Sequence, residues 1–273
     1  MPRIALGVEY DGGRYHGWQA QDSGVATVQA EVEKALSRVA NHPVQVNCAG
    51  RTDKGVHASG QVVHFDSDAP REMRSWVMGA NTNLPRDIGI RWAQPVADDF
   101  HARYRAFSRC YRYVIYNSRV RPALFSGQVS WCYRPLDIAP MREAAASLLG
   151  THDFSAYRGV QCQAKTPVKT LQRLDIRKRG QLIVIEALAD AFLMHMVRNI
   201  AGVLMAIGSG EQPPAWAREV LDGRDRTLGG VTAPPGGLYL VAIGYPEQYG
   251  IPVLPAGPLW LEDSLEKEST GWS

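Results

Sequence analysis

The order of apolar and polar residues along the chain predicts short strands interrupted by helices. Alternating or largely apolar segments predict strands at residues 4–10, 44–48, 61–66, 88–93, 105–116, 171–177, 182–188 and 238–243. Apolar positions at helical spacing predict helices at residues 28–39, 71–80, 138–149 and 192–207, and another short helix after Pro213-Pro214. Thr27 and Asp137 are candidate capping residues for the first and third of these helices. Residues 11–13 form a glycine-rich turn, and the strands at 171–177 and 182–188 form a hairpin around Arg179-Gly180. Because helices and strands do not alternate strictly, the pattern favours antiparallel or mixed sheets over a doubly wound parallel sheet.

These elements predict an α+β protein with two halves of similar texture. We place the first half at residues 1–103 and the second at residues 104–246. Residues 247–273 are rich in proline and glycine and then acidic, so we expect a loose or draped tail.

Charge is distributed unevenly over the 273 residues. The net charge is +3, but residues 247–273 hold five acids and one lysine, a balance of −4, so residues 1–246 carry +7. A basic body suits a polyanion partner, and it equally suits an ordinary solvated surface of mixed charge. The four cysteines form no Cys-x-x-Cys motif, and no apolar run is long enough to span a bilayer, so we expect a soluble cytoplasmic protein outside any membrane.

A glycine-bracketed loop carries the first candidate chemistry. Gly50 and Gly55 enclose Arg51, Thr52, Asp53 and Lys54, so a carboxylate lies on a tight turn between two cations. Taken alone, this spacing is more typical of a surface turn with a local salt bridge. The loop matches no P-loop, and the chain holds no Gly-x-Ser-x-Gly elbow and no zincin motif.

Two further segments combine charge with apolar surroundings. Residues 101–121 hold six arginines and no acid, interleaved with aromatic residues, which suits phosphate contact and base stacking. In the helix predicted at 192–207, His195, Arg198, Asn199 and Gly202 form a polar stripe on a largely apolar surface. Such a stripe needs partners, so Arg198 belongs either to a structural ion pair or to a functional anion site.

The segment Gly50-Arg51-Thr52-Asp53-Lys54-Gly55-Val56-His57-Ala58, followed by Gly60-Gln61-Val62-Val63-His64-Phe65, resembles the signature of the tRNA pseudouridine synthase A family. The resemblance extends over residues 4–245. It implies the pseudouridine synthase fold, with two mixed or antiparallel sheet halves, flanking helices and a central RNA-binding cleft. It also implies conversion of uridine to pseudouridine at positions 38, 39 and 40 of the tRNA anticodon stem-loop, with no cofactor or metal, by a homodimer.

The resemblance assigns roles residue by residue. The signature aspartate, the nucleophile of the family, corresponds to Asp53. The segment around Tyr111 resembles the one that supplies the active-site tyrosine. The segment 192–199 resembles the one whose arginine pairs with the catalytic aspartate, which is Arg198 here. We assign Tyr111, Arg51 and Arg198 to substrate binding.

Three alternatives remain open at this point. The first is a non-catalytic RNA-binding module, the second is a pseudouridine synthase for another RNA, and the third is an unrelated hydrolase that uses Asp53 with His57 or His64. No serine or cysteine nucleophile is placed to support the hydrolase.

Overall fold

A computed structural model describes residues 1–22 and 24–261 of the chain. It contains two compact units, the first of which is formed by two separate segments of the chain. The first unit comprises Met1–Ala106 together with the chain from Tyr239 onward, and the second comprises Phe107–Leu238.

The described residues form ten strands and five α-helices. The strands are β1 (Arg3–Tyr10), β2 (Asn47–Cys48), β3 (His57–Asp66), β4 (Ile88–Val96), β5 (Ser108–Asn117), β6 (Ser130–Cys132), β7 (Gly150–Asp153), β8 (Val168–Arg179), β9 (Leu182–Ala189) and β10 (Leu238–Gly244). The helices are α1 (Val28–Ala40), α2 (Met73–Asn83), α3 (Ile138–Ala146), α4 (Met196–Gly208) and α5 (Trp216–Gly223).

The first unit is built on a sheet with β1 at its centre. β1 pairs antiparallel with β3 on one side and with β4 on the other, and β2 pairs antiparallel with β3. β10 joins β3 in parallel, with Tyr239 opposite His57, which returns the chain to this unit. The inward faces are apolar: Ala5, Leu6 and Val63 are fully buried. α1 and α2 pack together beside this sheet, and their burial of Leu36 and Trp76 follows the predicted helical spacing.

The second unit contains an antiparallel sheet in the order β5-β9-β8-β7, with β6 parallel to β5. β8 and β9 form the predicted hairpin, whose turn places Gly180 at a φ of 55°, a left-handed conformation suited to glycine. α3 begins after Asp137, whose carboxylate accepts a hydrogen bond from the Ala139 N–H as predicted. α3 packs on α4 and on β8, which covers one face of the sheet.

The α+β class with mixed and antiparallel sheets is confirmed, but several predicted boundaries are wrong. The strand predicted at 44–48 is only β2, and the strand predicted at 105–116 begins at Ser108. The helix predicted at 192–207 begins at Met196, because His195 has a φ of 62° and is therefore left-handed. His195 thus lies outside the helix, and the polar stripe of α4 starts at Arg198. Thr27 precedes α1 as predicted, but its side chain makes no capping hydrogen bond.

The beginning of the tail is packed rather than loose. Tyr249 is buried, its ring lies 5.2 Å from that of Phe100, and its hydroxyl donates to Asp99 Oδ2 at 2.9 Å. Leu261 is also buried, whereas its neighbours Leu259 and Trp260 are exposed. The acidic part of the predicted tail, residues 262–273, lies outside the described residues. Within the described part of the chain, no helix is long and apolar enough to cross a membrane.

Candidate active site

The Asp53 loop connects β2 to β3 in the first unit. The Asp53 side chain is half-buried, whereas Arg51 and Lys54 on either side of it are exposed. The loop is closed by a hydrogen bond of 3.1 Å from the Val56 N–H to the Asp53 carbonyl. Gly55 has a φ of 76°, which a residue with a side chain rarely adopts, so the second glycine of the loop is required by its backbone conformation.

A buried polar network supports the loop from the sheet side. The side-chain amide of Gln61 donates to the Gly50 carbonyl at 2.6 Å, and its oxygen accepts from the Gly50 N–H at 3.3 Å. The Tyr10 hydroxyl shares a hydrogen bond of 2.8 Å with Thr52 Oγ1. Because Tyr10, Thr52 and Gln61 are all buried, their polar atoms depend on these partners, which fixes the backbone on either side of Arg51.

Residues 12–18 hold the opposite side of the loop through backbone contacts. The Trp18 N–H donates to the Thr52 carbonyl at 3.0 Å, and the Gly55 N–H donates to the Tyr15 carbonyl at 3.4 Å. The approach is close, since a Cβ at position 12 would lie 1.9 Å from the Val56 carbonyl oxygen. The sequence alone predicts only a turn at residues 11–13 and does not predict these contacts. The glycines that lie among aromatic residues in this segment are the signal that could have indicated them.

Removal of the Tyr10 hydroxyl is expected to lower turnover more than substrate affinity. Tyr10→Phe deprives the Thr52 hydroxyl of a buried partner, which costs about 1–3 kcal/mol and loosens the loop. Since a displacement of about 1 Å can cost roughly 100-fold in rate, kcat should fall by at least several-fold while KM changes little. A steady-state assay of the activity that the family resemblance implies measures both constants.

Tyr15→Phe is the matched control for that variant. It removes the hydroxyl of another buried tyrosine, whose hydrogen bond of 2.6 Å goes to Asp87 instead of the loop. Equal losses of kcat in both variants would contradict the positioning role of Tyr10.

Tyr111 lies on β5 in the second unit, opposite Ala187 of β9. Its side chain is almost buried, with 9% exposed, and its ring meets the ring of Phe192 edge-on at 5.1 Å. The tyrosine predicted to bind substrate is therefore held by an aromatic neighbour within its own unit. Its orientation is set by the sheet and not by a mobile loop.

Arg198 lies on the first turn of α4 and is half-buried. Its Nε donates to the Ala233 carbonyl at 2.8 Å, and the Ala233 N–H donates back to the Arg198 carbonyl at 3.2 Å. The segment 229–234 thus lies along the polar stripe of α4. A Cβ at Gly202 would lie 2.0 Å from the Val231 carbonyl oxygen, which explains the glycine in that stripe.

Asn199 completes the stripe as a structural residue. It is 2% exposed, its amide donates to the Tyr157 carbonyl at 2.8 Å, and its oxygen accepts from Arg226 and from Thr232. The partners predicted for a buried polar stripe therefore exist, and they come from Tyr157 and from the segment 226–233. Sequence spacing identifies the stripe but not these partners.

The basic segment 101–121 is not a uniform RNA-facing strand. Arg112, expected to contact RNA, is 8% exposed, and its Nε donates to Glu186 Oε2 at 2.7 Å, so this expectation is wrong. A second arginine, Arg173, donates to the other oxygen of Glu186 at 2.7 Å. Arg109 donates to the Asp190 carbonyl at 3.0 Å, and Arg105 pairs with Asp99 at 2.8 Å.

Both histidines of the hydrolase alternative have buried structural partners. His57 is 1% exposed and stacks on Tyr239 at 4.8 Å; its Nδ1 accepts a hydrogen bond from the Gly12 N–H at 3.0 Å and lies 3.0 Å from Asp11 Oδ1. His64 is 3% exposed and accepts from the Ala102 N–H at 3.1 Å. The burial of both rings counts against either imidazole acting as a base for hydrolysis.

Comparison with known proteins agrees with the resemblance of the Asp53 loop. A family model described as tRNA pseudouridine synthase matches residues 7–105 and 144–246. A protein named tRNA pseudouridine synthase A from Alcanivorax borkumensis is 66% identical over 97% of this chain and 100% of its own length. Proteins of the same name from Coxiella burnetii and Pseudomonas aeruginosa are 57% and 58% identical over 96% of this chain, covering 100% and 92% of those proteins. The chain therefore belongs to the tRNA pseudouridine synthase family, whose members are isomerases.

Proposed function

We propose that this protein converts uridine to pseudouridine at positions 38, 39 and 40 of the tRNA anticodon stem-loop, with Asp53 as the nucleophile. The observation that carries the proposal is the Asp53 loop itself. It combines the family signature with a half-buried carboxylate on a backbone braced by Tyr10, Gln61 and residues 12–18. A surface turn with only a local salt bridge does not need such bracing.

The reaction breaks the N1–C1′ bond, rotates the detached uracil, and joins C5 to C1′; the proton lost from C5 is balanced by the proton taken up at N1. No atom is lost and nothing is oxidised, so the protein must supply a nucleophile, hold the base and exclude water. The Asp53 carboxylate adds to the nucleotide, and the braced loop keeps its direction of attack constant. Tyr111 stacks on the uracil, and its rigid setting on β5 suits that role.

The RNA must be held and its target base extracted. Some target nucleotides are paired, so the base is flipped from its stack at a cost of a few kcal/mol. Exposed arginines suited to phosphate contact are Arg51 and Arg103 in the first unit and Arg119 and Arg121 in the second. We further propose, from the family resemblance, a cytoplasmic homodimer in which one tRNA touches both subunits.

Position-resolved mapping of pseudouridine tests the proposal. Unmodified tRNA is incubated with the purified protein, and each pseudouridine is located by its chemical reactivity. New pseudouridine at positions 38, 39 or 40 is expected. Its absence there, with modification elsewhere, would indicate a different RNA position, and tRNA binding with no modification at all would indicate the non-catalytic module.

From the family resemblance alone, we propose that Arg198 orients the Asp53 carboxylate, and Arg198→Lys tests this role. Lysine has neither the planar fork nor the Nε–H that donates to Ala233, so it cannot reproduce the same geometry. We expect kcat to fall roughly ten-fold or more, with little change in KM for tRNA.

Arg226→Lys is the control, because Arg226 braces the same segment through Gly230 and Thr232. It should lower thermal stability and leave kcat near that of the parent protein. A kcat for Arg198→Lys equal to that of the parent would rule out the orienting role.

A further inference from the structure

An exposed aromatic side chain is presented on a short turn of the first unit. Tyr104 has 75% of its surface exposed, although it is a large aromatic residue. Its ring lies 4.2 Å from that of His101 at an angle of 36°, and the Arg103 guanidinium carbon lies 5.8 Å from the Tyr104 ring centroid. Tyr104 therefore presents an exposed π-surface next to a cation.

The turn beneath Tyr104 is tightly held. His101 Nδ1 accepts from the backbone N–H groups of Arg103 at 3.2 Å and of Tyr104 at 3.4 Å. The His101 ring packs edge-on against buried His64 at 4.6 Å. Burial lowers the pKa of His64 to about 4, so at neutral pH it is uncharged and accepts from the Ala102 N–H at 3.1 Å. The platform is thus preorganised, which reduces the entropy lost when a ligand binds.

This turn and the Asp53 loop start from the same buried cluster. Ala49, which precedes the loop, and Ala102, which precedes Arg103, both belong to the apolar cluster around Phe100. This shared cluster places residues 103–104 near the loop that carries Asp53. Burial raises the pKa of the Cys48 thiol to about 12, and the charges of Arg51 and Arg103 partly oppose that rise.

We propose that Tyr104 is a stacking platform for an unpaired base of the RNA substrate, next to the uridine that is modified. The inference rests on the proposed function for the identity of the RNA. An aromatic face next to the Arg103 guanidinium is complementary to a nucleotide, which has a planar base and an anionic phosphate. The nearby carboxylate of Asp99 is neutralised by Arg105, so it does not oppose the phosphate.

Binding and fluorescence measurements test the platform. A set of anticodon stem-loop RNAs is prepared, each with 2-aminopurine at one loop position, including position 37 next to the target at 38. The parent protein should quench at least one of these probes, because stacking on an aromatic ring quenches 2-aminopurine. Tyr104→Phe keeps the ring and should behave like the parent.

Tyr104→Leu and Tyr104→Ala should lose the quenching and weaken RNA binding roughly ten-fold, since base–aromatic stacking contributes strongly to such complexes. Because Tyr104 is mostly exposed, all three variants should fold with a Tm close to that of the parent. Parent-like affinity and quenching in Tyr104→Leu would overturn the inference. Failure of the proposed function appears separately, as tRNA that the parent protein binds but does not modify.

Discussion

Replacement of Asp53 by asparagine is expected to abolish pseudouridine formation while tRNA still binds. Asparagine has the same size as aspartate but is a very weak nucleophile, so the covalent step is lost. The rate should fall by roughly a thousand-fold or more, as when nucleophiles are removed from other enzymes. The fold should persist, because the loop is held through neighbouring groups such as Thr52, Gly50 and Gly55.

Single-turnover assays with excess protein measure this rate, and equilibrium binding of the same tRNA measures affinity. Asp98→Asn is the matched control, since it makes the same chemical change at an exposed aspartate outside the loop. Pseudouridine formation by Asp53→Asn at the parent rate would show that Asp53 is not the nucleophile. A loss of binding together with activity would point to a structural role.

Among the variants proposed for this protein, Glu186→Ala should cause the largest decrease in the free energy of unfolding. Glu186 is 9% exposed and accepts hydrogen bonds from both Arg112 and Arg173 at 2.7 Å. Its removal leaves the buried Arg112 guanidinium without its carboxylate, which typically costs about 3–5 kcal/mol. Urea unfolding should therefore show a much lower midpoint than for the parent protein.

The double variant Arg112→Met, Glu186→Leu separates the unpaired charge from the loss of the pair. Replacing both members by apolar residues of similar volume removes the buried charge, so most of the lost stability should return. The single variant Arg112→Met also tests whether Arg112 contacts RNA. If Arg112→Met specifically weakened tRNA binding while leaving stability unchanged, Arg112 would be an RNA contact after all.

The elements predicted with most success are those whose signal is local. The hairpin of β8 and β9 follows from alternating residues around Gly180, and the start of α3 follows from Asp137 as a capping residue. Hydrophobic periodicity places the start of α4 four residues too early, because most of residues 192–195 are as apolar as the helix that follows them. The left-handed conformation of His195 cannot be predicted from hydrophobic periodicity.

In the candidate site, too, local sequence signals are predictive and long-range contacts are not. Asp53 and Arg198 are predicted as site residues because each lies in a long segment similar to the family. The contacts that position them were not identifiable in this way: Trp18 with Thr52, and Arg198 with Ala233, join residues 34 and 35 positions apart in the chain. Such pairs arise only when strands and loops distant in sequence come together.

The α+β class and the family follow from the sequence alone, and so does the prediction of the site residues, because all three depend on local pattern and on a contiguous signature. Which arginines are structural follows only from the folded structure. Arg112 and Arg103 both lie in the basic segment 101–121, but the first is buried against Glu186 and the second is exposed beside Tyr104. Burial and long-range pairing set the energy of a charge, and neither is a property of its immediate neighbours in the chain.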